Sequence, residues 1–437
     1  MTQLYPSPTM SINSSANQAV GLLDHAIIFM AKWYLLIDAL NGFMLSQLGQ
    51  GLPLSITYKS ILLALMLVSL LQQRQANLWF IPISVLVLLL GPFYSLVQTG
   101  ATAGFSYDVS MVLKLLSPVL AAMYFYQLSL RAPHYAWSSL HQVLHLAFLI
   151  VFANLLIGQF GYGFTAYQPN DYLPDQNLGT KGFFKATNEL SALLLVLSGY
   201  LFAYYWPRHK VKFIIALICC VFCGKALLTK TGLAGVVLLA VLIPLLQSLA
   251  YWRRFGRIIK VGLVVSLLTG LVLLWQLPLI LEVLPLSEKL RFTYQQQGLI
   301  GLLLSSRDLF VVENWRLSEL YFSDWHQLLG VGYTAMDLYS GKPLSEIDPA
   351  DLTLWFGLPG LLWFGWFFLG NLRMAWLTWR QQPVGLAAGI LAINAVLLLV
   401  ASMAGHVLTS GMLWIPWGML NGALFLSLQP QESGHEA

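Results

Sequence analysis

Six lysines stand where the surrounding sequence is hostile to charge. Lys59, Lys114, Lys181, Lys185, Lys225 and Lys230 lie in or beside long apolar runs. An ionisable group at membrane depth costs about 2.5–3.5 kcal/mol on insertion scales, so it faces a cavity or a partner. Snorkelling to the surface explains Lys59 and Lys181 equally well. It does not explain Lys114, five residues into its apolar run, or Lys225, one turn before the Thr229–Gly232 turn. A cation cluster of this kind suits a membrane-bound anion such as a phosphate or pyrophosphate. The structural alternative is that Asp38, Asp108 and Glu189 neutralise some of these lysines.

The acids are as uneven as the cations. Ten of the eighteen carboxylates fall between Glu282 and Asp351, together with Lys289, Arg291, Arg307, Arg316, Lys342 and one histidine, His326. Gly330, Gly332, Gly341 and Pro343 supply turn signals. Glu346 and Asp348 stand two residues apart where apolar sequence resumes. Acids at such a place cap a helix N-terminus and complement its dipole, and Asp351 fits a cap best. The same spacing also fits a divalent cation, but no further ligands accompany it, so no metal site is expected. Arg307 reads either as an ion-pair partner of adjacent Asp308 or as an anion contact. His141 and His145 share a helix face without a third ligand and read as helix-end residues. Cys219, Cys220 and Cys223 share one apolar run and read as buried, inert thiols.

The elements that carry these residues follow from composition. The chain is 58% hydrophobic and 9% charged, against about 25% charged for a soluble domain. Continuous apolar runs of eighteen or more residues recur, each long enough to cross a hydrocarbon core of about 30 Å. Continuous rather than alternating apolarity excludes a β-barrel. The fold class is therefore an all-α polytopic membrane protein. Twelve spans fit, near 27–48, 54–72, 77–97, 109–128, 141–160, 186–206, 211–229, 231–250, 257–281, 352–372, 384–404 and 406–427. Gly91-Pro92 is expected to interrupt the third.

This divides the chain into a tail (1–26), nine spans (27–281), a large loop (282–351), three spans (352–427) and a second tail (428–437). The first 24 residues are polar and lack the apolar core of a cleavable signal. With both termini inside, the inner loops hold Arg74, Arg131, Arg208, Lys210, Lys212, Arg253, Arg254, Arg257, Lys260, Arg373 and Arg380, and no acid. That is the positive-inside pattern, so the net charge of +5 reflects topology and not nucleic-acid binding. The large loop then faces outward, toward the periplasm of a Gram-negative cell. Trp315, Tyr321 and Trp325 in that loop suit sugar stacking or interfacial anchoring.

Several motifs, in order, carry a resemblance. Gly182-Phe-Phe-Lys-Ala-Thr-Asn188-Glu-Leu-Ser191 opens one span. Leu228-Thr-Lys230-Thr-Gly232 forms the next outer turn, with Lys230 where an arginine is common. Ser306-Arg307-Asp308 with Trp315, Leu329-Gly330-Val-Gly332, and Glu346-Ile-Asp348-Pro-Ala-Asp351 with Gly357-Leu-Pro-Gly360 follow in the loop. Gly405-His406-Val-Leu-Thr-Ser410 begins the last span. Together, across roughly 30–425, they resemble the O-antigen ligase/polymerase superfamily. The loop end carries Glu346 and Asp348 where ligases carry a histidine-asparagine pair, which favours a Wzy-like polysaccharide polymerase.

The resemblance implies a GT-C-like glycosyltransferase of the bacterial inner membrane that works without metal or other cofactor. Donor and acceptor would both be glycans on undecaprenyl pyrophosphate, with membrane lipids and a chain-length regulator as further partners. Cations must stabilise the leaving pyrophosphate. Arg307, Lys230 and Lys225 are the first choices, then Lys114, Lys185 and Arg291. A base must assist the acceptor hydroxyl. Glu346 and Asp348 are expected to supply it, with Asp351 and Asp308 behind them. His406 reads as an interhelical hydrogen-bonding residue. Two other readings stand beside this one. One is a ligase that transfers glycan to lipid A-core. The other is a transporter or flippase, which should show a repeat between halves that this sequence lacks.

Overall fold

The computed structural model describes residues 20–49, 51–73, 76–100, 102–167, 178–248, 298, 301 and 304–428. The expected span at 257–281, the residue Arg291 and most of both tails lie outside the described residues.

Eight long helices come first: α1 (Leu22–Leu48), α2 (Leu54–Gln72), α3 (Phe80–Thr99), α4 (Phe105–Arg131), α5 (Pro133–Gln159), α6 (Thr187–Arg208), α7 (Lys210–Leu227) and α8 (Lys230–Ser248). In the large loop stand α9 (Arg307–Tyr321), α10 (Asp324–Leu329) and α11 (Tyr333–Asp337). The chain then re-enters through α12 (Asp348–Gln381), α13 (Leu386–Met403) and α14 (Trp414–Gly422). Among the described residues, nine helices are long and apolar enough to cross a membrane. The protein is an all-α polytopic membrane protein. Helices dominate because lipid offers no partner for backbone N–H and C=O groups, which a helix satisfies internally.

Burial follows position in the bundle. Every residue of α6 from Leu190 to Ala203 is buried, so this helix is apolar all round. It packs against α5, α7, α8 and α13. At the rim, α2 and α3 present Ile56, Ile83 and Leu86 outward, as lipid-facing residues do. A two-stranded hairpin, β1 (Phe164–Thr165) with β2 (Thr180–Gly182), sits over α5. Asn154 of α5 fixes it, accepting from Phe183 N at 2.8 Å and donating to Lys181 O at 3.0 Å.

Three features bind the large loop to the bundle. First, α12 breaks at Gly357 (φ 62°, ψ −150°) and carries Pro359, which has no N–H. The carbonyls of Leu354 and Trp355 are thereby freed. Val331 N and Gly332 N bond them at 2.8 and 2.9 Å. Gly330 (φ 91°) must be glycine, because a Cβ there would lie 2.3 Å from Trp355 O. Second, α3 does not break at Gly91-Pro92 as expected but runs through it. Gly91 instead admits the loop backbone, since a Cβ there would lie 2.0 Å from Leu329 O. Third, Asp108 of α4 caps α11, accepting from Tyr333 N at 2.6 Å and Thr334 N at 3.4 Å. Asp108 is thus a cap and not a lysine's counter-ion.

Two boundaries also differ from expectation. The turn between α7 and α8 is only Leu228-Thr229, and Lys230 already begins α8. Thr229 Oγ1 accepts from Gly232 N at 3.2 Å and meets Ser191 Oγ at 2.7 Å. More strongly, the expected span at 406–427 is not one helix. Residues 404–413 are irregular and mostly buried, and the nine residues of α14 follow, continued by a 3-10 helix over Ala423–Leu428.

Candidate functional site

The irregular stretch 404–413 lies against the end of the large loop. A Cβ at Gly405 (φ 54°) would fall 2.4 Å from the carbonyl carbon of Glu346. Glu346 (φ 65°) and His406 (φ 60°) both hold left-handed backbone without being glycine. Such strain persists only where surrounding bonds over-determine it. Here carboxylates supply those bonds. Asp351 Oδ1 accepts from Ser345 N (2.8 Å) and Oγ (2.5 Å), while its Oδ2 accepts from Glu346 N at 3.0 Å. Asp348 accepts from three successive amides, His406 N at 2.7 Å, Val407 N at 3.0 Å and Leu408 N at 3.0 Å. Glu189 of α6 holds the next turn through Ser410 Oγ at 2.9 Å and Gly411 N at 2.7 Å.

Glu346 differs from these three acids, because cations hold its side chain. Arg307 Nε and Nη2 both donate to Oε2, at 3.0 and 2.9 Å. Asn188 Nδ2 reaches the same oxygen at 3.1 Å. Lys342 Nζ lies 3.2 Å from Oε1. Arg307 and Glu346 are partly accessible, at 16% and 21% side-chain exposure. Burial pushes the Glu346 carboxyl up, but the Arg307 hydrogen bonds and charge, Lys342 and His406 outweigh it. Glu346 therefore titrates below the ordinary glutamate range and is ionised at neutral pH.

The other expected cations among the described residues divide into two groups. Lys230 Nζ lies 3.5 Å from Ser305 Oγ, in the left-handed turn that leads into Arg307. Lys230 thus joins the site. Lys225 is exposed in the last turn of α7, and Lys114 is half-buried in α4. Lys185 is exposed with its Nζ beside Gly51, in the α1–α2 turn. No hydrogen bond or ion pair ties Lys114, Lys185 or Lys225 to Arg307 or Glu346 among the described residues. Lys59 pairs with Asp38 at 2.5 Å, as the counter-ion expectation has it.

Several assignments change on this geometry. Arg307 pairs with Glu346, 39 residues away, and not with adjacent Asp308. Asp348 has both oxygens engaged by amides and serves as a clamp on 406–408. His326 is buried within the loop, accepting from Ser323 N at 3.2 Å and packing on Tyr94 and Phe322. The sequence assigns no role in the site to Asn188 or Lys342. Asn188 precedes Glu189 in the motif opening α6, and Lys342 stands four residues before Glu346; these were the available signals. No protein family and no curated protein sequence matches the chain.

Proposed function

We propose that the chain is a lipid-dependent glycosyltransferase of the polysaccharide-polymerase type. It would act at the periplasmic face of the bacterial inner membrane, on a twelve-span GT-C-like framework. The observation that carries this reading is the meeting of Arg307, Lys342, Asn188 and Glu346 where the loop re-enters the bundle. Two cations there share one internal carboxylate. A pyrophosphate presents the same acceptor chemistry with more charge. It would take Arg307 and Lys342 from Glu346, with Lys230 close by.

The exchange has a chemical consequence. Without its cations, Glu346 loses the interactions that depress its pKa and becomes a stronger base. The acceptor hydroxyl oxygen then attacks the anomeric carbon of the donor. The bond from that carbon to the pyrophosphate oxygen breaks, and its electron pair leaves with undecaprenyl pyrophosphate. The hydroxyl proton passes to Glu346. Arg307, Lys342 and Lys230 stabilise charge on the departing pyrophosphate. A single displacement inverts the anomeric centre. Asp348, Asp351 and Glu189 hold the backbone that places these groups.

One observation favours a second reading, the ligase. Asp348 holds His406 N at 2.7 Å and the adjacent Gly405 packs on the Glu346 backbone, so a histidine reaches the loop end in space though not in sequence. Deletion of the gene separates the two. Single-repeat lipopolysaccharide without longer chains supports polymerisation. Full-length chains stranded on undecaprenyl pyrophosphate support ligation and overturn it.

A further inference from the structure

We infer that Tyr167 is a stacking platform for a sugar ring of the substrate glycan. This rests on the transfer reading and adds a binding role in the second, smaller extramembrane loop. Tyr167 lies inside the hairpin, two residues past β1, and is fixed at both ends. Its N–H donates to Leu178 O at 3.1 Å, and Ala166 beside it is held to Gly179 and Thr187. Its hydroxyl donates to Leu228 O at 3.3 Å, across to the α7–α8 turn. Despite these ties the residue stays 47% exposed. A large aromatic residue held in place yet left open has a face available for contact.

Its neighbours define what it meets. Thr187, whose hydroxyl holds Ala166 O at 3.0 Å, adjoins Asn188, whose amide reaches Glu346 at 3.1 Å, so one short stretch at the start of α6 ties both the segment that carries Tyr167 and the ion pair. Burial raises the Tyr167 pKa, so its phenol is protonated at neutral pH. A sugar has an apolar C–H face and a hydroxyl edge. An aromatic ring on one side and charged donors on the other match those two aspects. A bare phosphate would gain nothing from the ring. The three large-loop aromatic residues with stacking potential in the sequence are differently placed. Tyr321 stacks on Tyr339 with centroids 4.3 Å apart. Trp315 packs on the core. Trp325 is exposed on α10, which packs against α3 and α12.

Stacking and tethering predict different substitutions. Tyr167→Phe keeps the ring and loses the bond to Leu228 O. Tyr167→Ala loses both. The probe is the lipid-linked repeat unit extracted from cells lacking this gene. Elongation rate and thermal stabilisation of the purified full chain are measured against its concentration. Stacking predicts that Tyr167→Phe stays within about twofold of wild type. It predicts that Tyr167→Ala raises KM and the half-saturating concentration about tenfold, with kcat changed less. Equal defects in both variants, or wild-type binding by Tyr167→Ala, overturn it. Wild-type protein that binds the repeat without elongating it overturns the transfer reading alone. Wild-type protein that does not bind overturns both.

Discussion

Two arginine–carboxylate pairs stand at opposite ends of this bundle. Arg131 and Asp24 form the first. Two guanidinium nitrogens address two carboxylate oxygens, at 3.3 and 3.2 Å. Tyr124 OH completes the group at 3.0 Å. Asp24 lies in the first turn of α1 and Arg131 in the last turn of α4, so each also complements its own helix dipole. The Arg307–Glu346 pair lacks each of these traits. Both nitrogens crowd one oxygen, a lysine takes the other, and Glu346 sits on left-handed backbone in a loop. The first pair is balanced and closed. The second holds surplus positive charge on strained backbone. The same two side-chain types thus make a fastener in one place and an anion-ready site in the other.

The sharpest way to break that contrast is to truncate both pairs. Arg307→Ala and Glu346→Ala should each abolish chain elongation while leaving the amount of protein in the membrane unchanged. Asp24→Ala should do the reverse, destabilising the fold by roughly 1–3 kcal/mol because the half-buried Arg131 loses its charged partner and Tyr124 its acceptor. Gel profiles of the polysaccharide, immunoblots and thermal unfolding in detergent read the two effects separately. Normal chain length in both loop-end variants would erase the distinction.

Next in size is the strap that holds the loop. Gly330→Ala puts a Cβ into Trp355 O and strains a φ of 91°. The strain alone is worth about 1–3 kcal/mol, and the clash adds to it. Protease cleavage within the 304–347 segment should accelerate, and elongation should fall. Unchanged cleavage would mean that the loop is held elsewhere. Asp348→Asn should have a smaller effect. It weakens three amide contacts and should cost about 1–3 kcal/mol, read as faster hydrogen exchange at 406–408.

The smallest effect is the pH dependence of the loop-end pair. The folded Glu346 pKa lies below the unfolded value of about 4.3. Its contribution to stability is therefore full above that value and lost as pH falls through the folded pKa. Glu346→Gln should flatten this part of the unfolding profile. An unfolding profile unchanged by Glu346→Gln would remove the acid sensitivity from the loop-end pair.

Legibility of this chain in its sequence depended on distance. Most spans were readable, because a helix in lipid needs only local apolarity and length. The last span was misread for the same reason. Residues 404–413 are apolar enough for a helix, and what unwinds them comes from Asp348 and Glu189, far away in sequence. Arg307 and Glu346 were each singled out, but their pairing was not. Nothing local distinguishes Glu346 from adjacent Asp308 as the partner of Arg307. Asp108 shows the same limit: an acid near a helix start looked like a counter-ion until the loop amides it caps came into view.

The break in α12 also bears on how the protein is assembled. The chain delivers the Gly330–Gly332 segment before α12 is made, and that segment later covers Leu354 O and Trp355 O. Pro359 has no N–H to offer Trp355 O, so without that segment this carbonyl would lack a partner, at a cost of several kcal/mol in hydrocarbon. Docking of the loop thus supplies α12 with a hydrogen bond that its own sequence withholds.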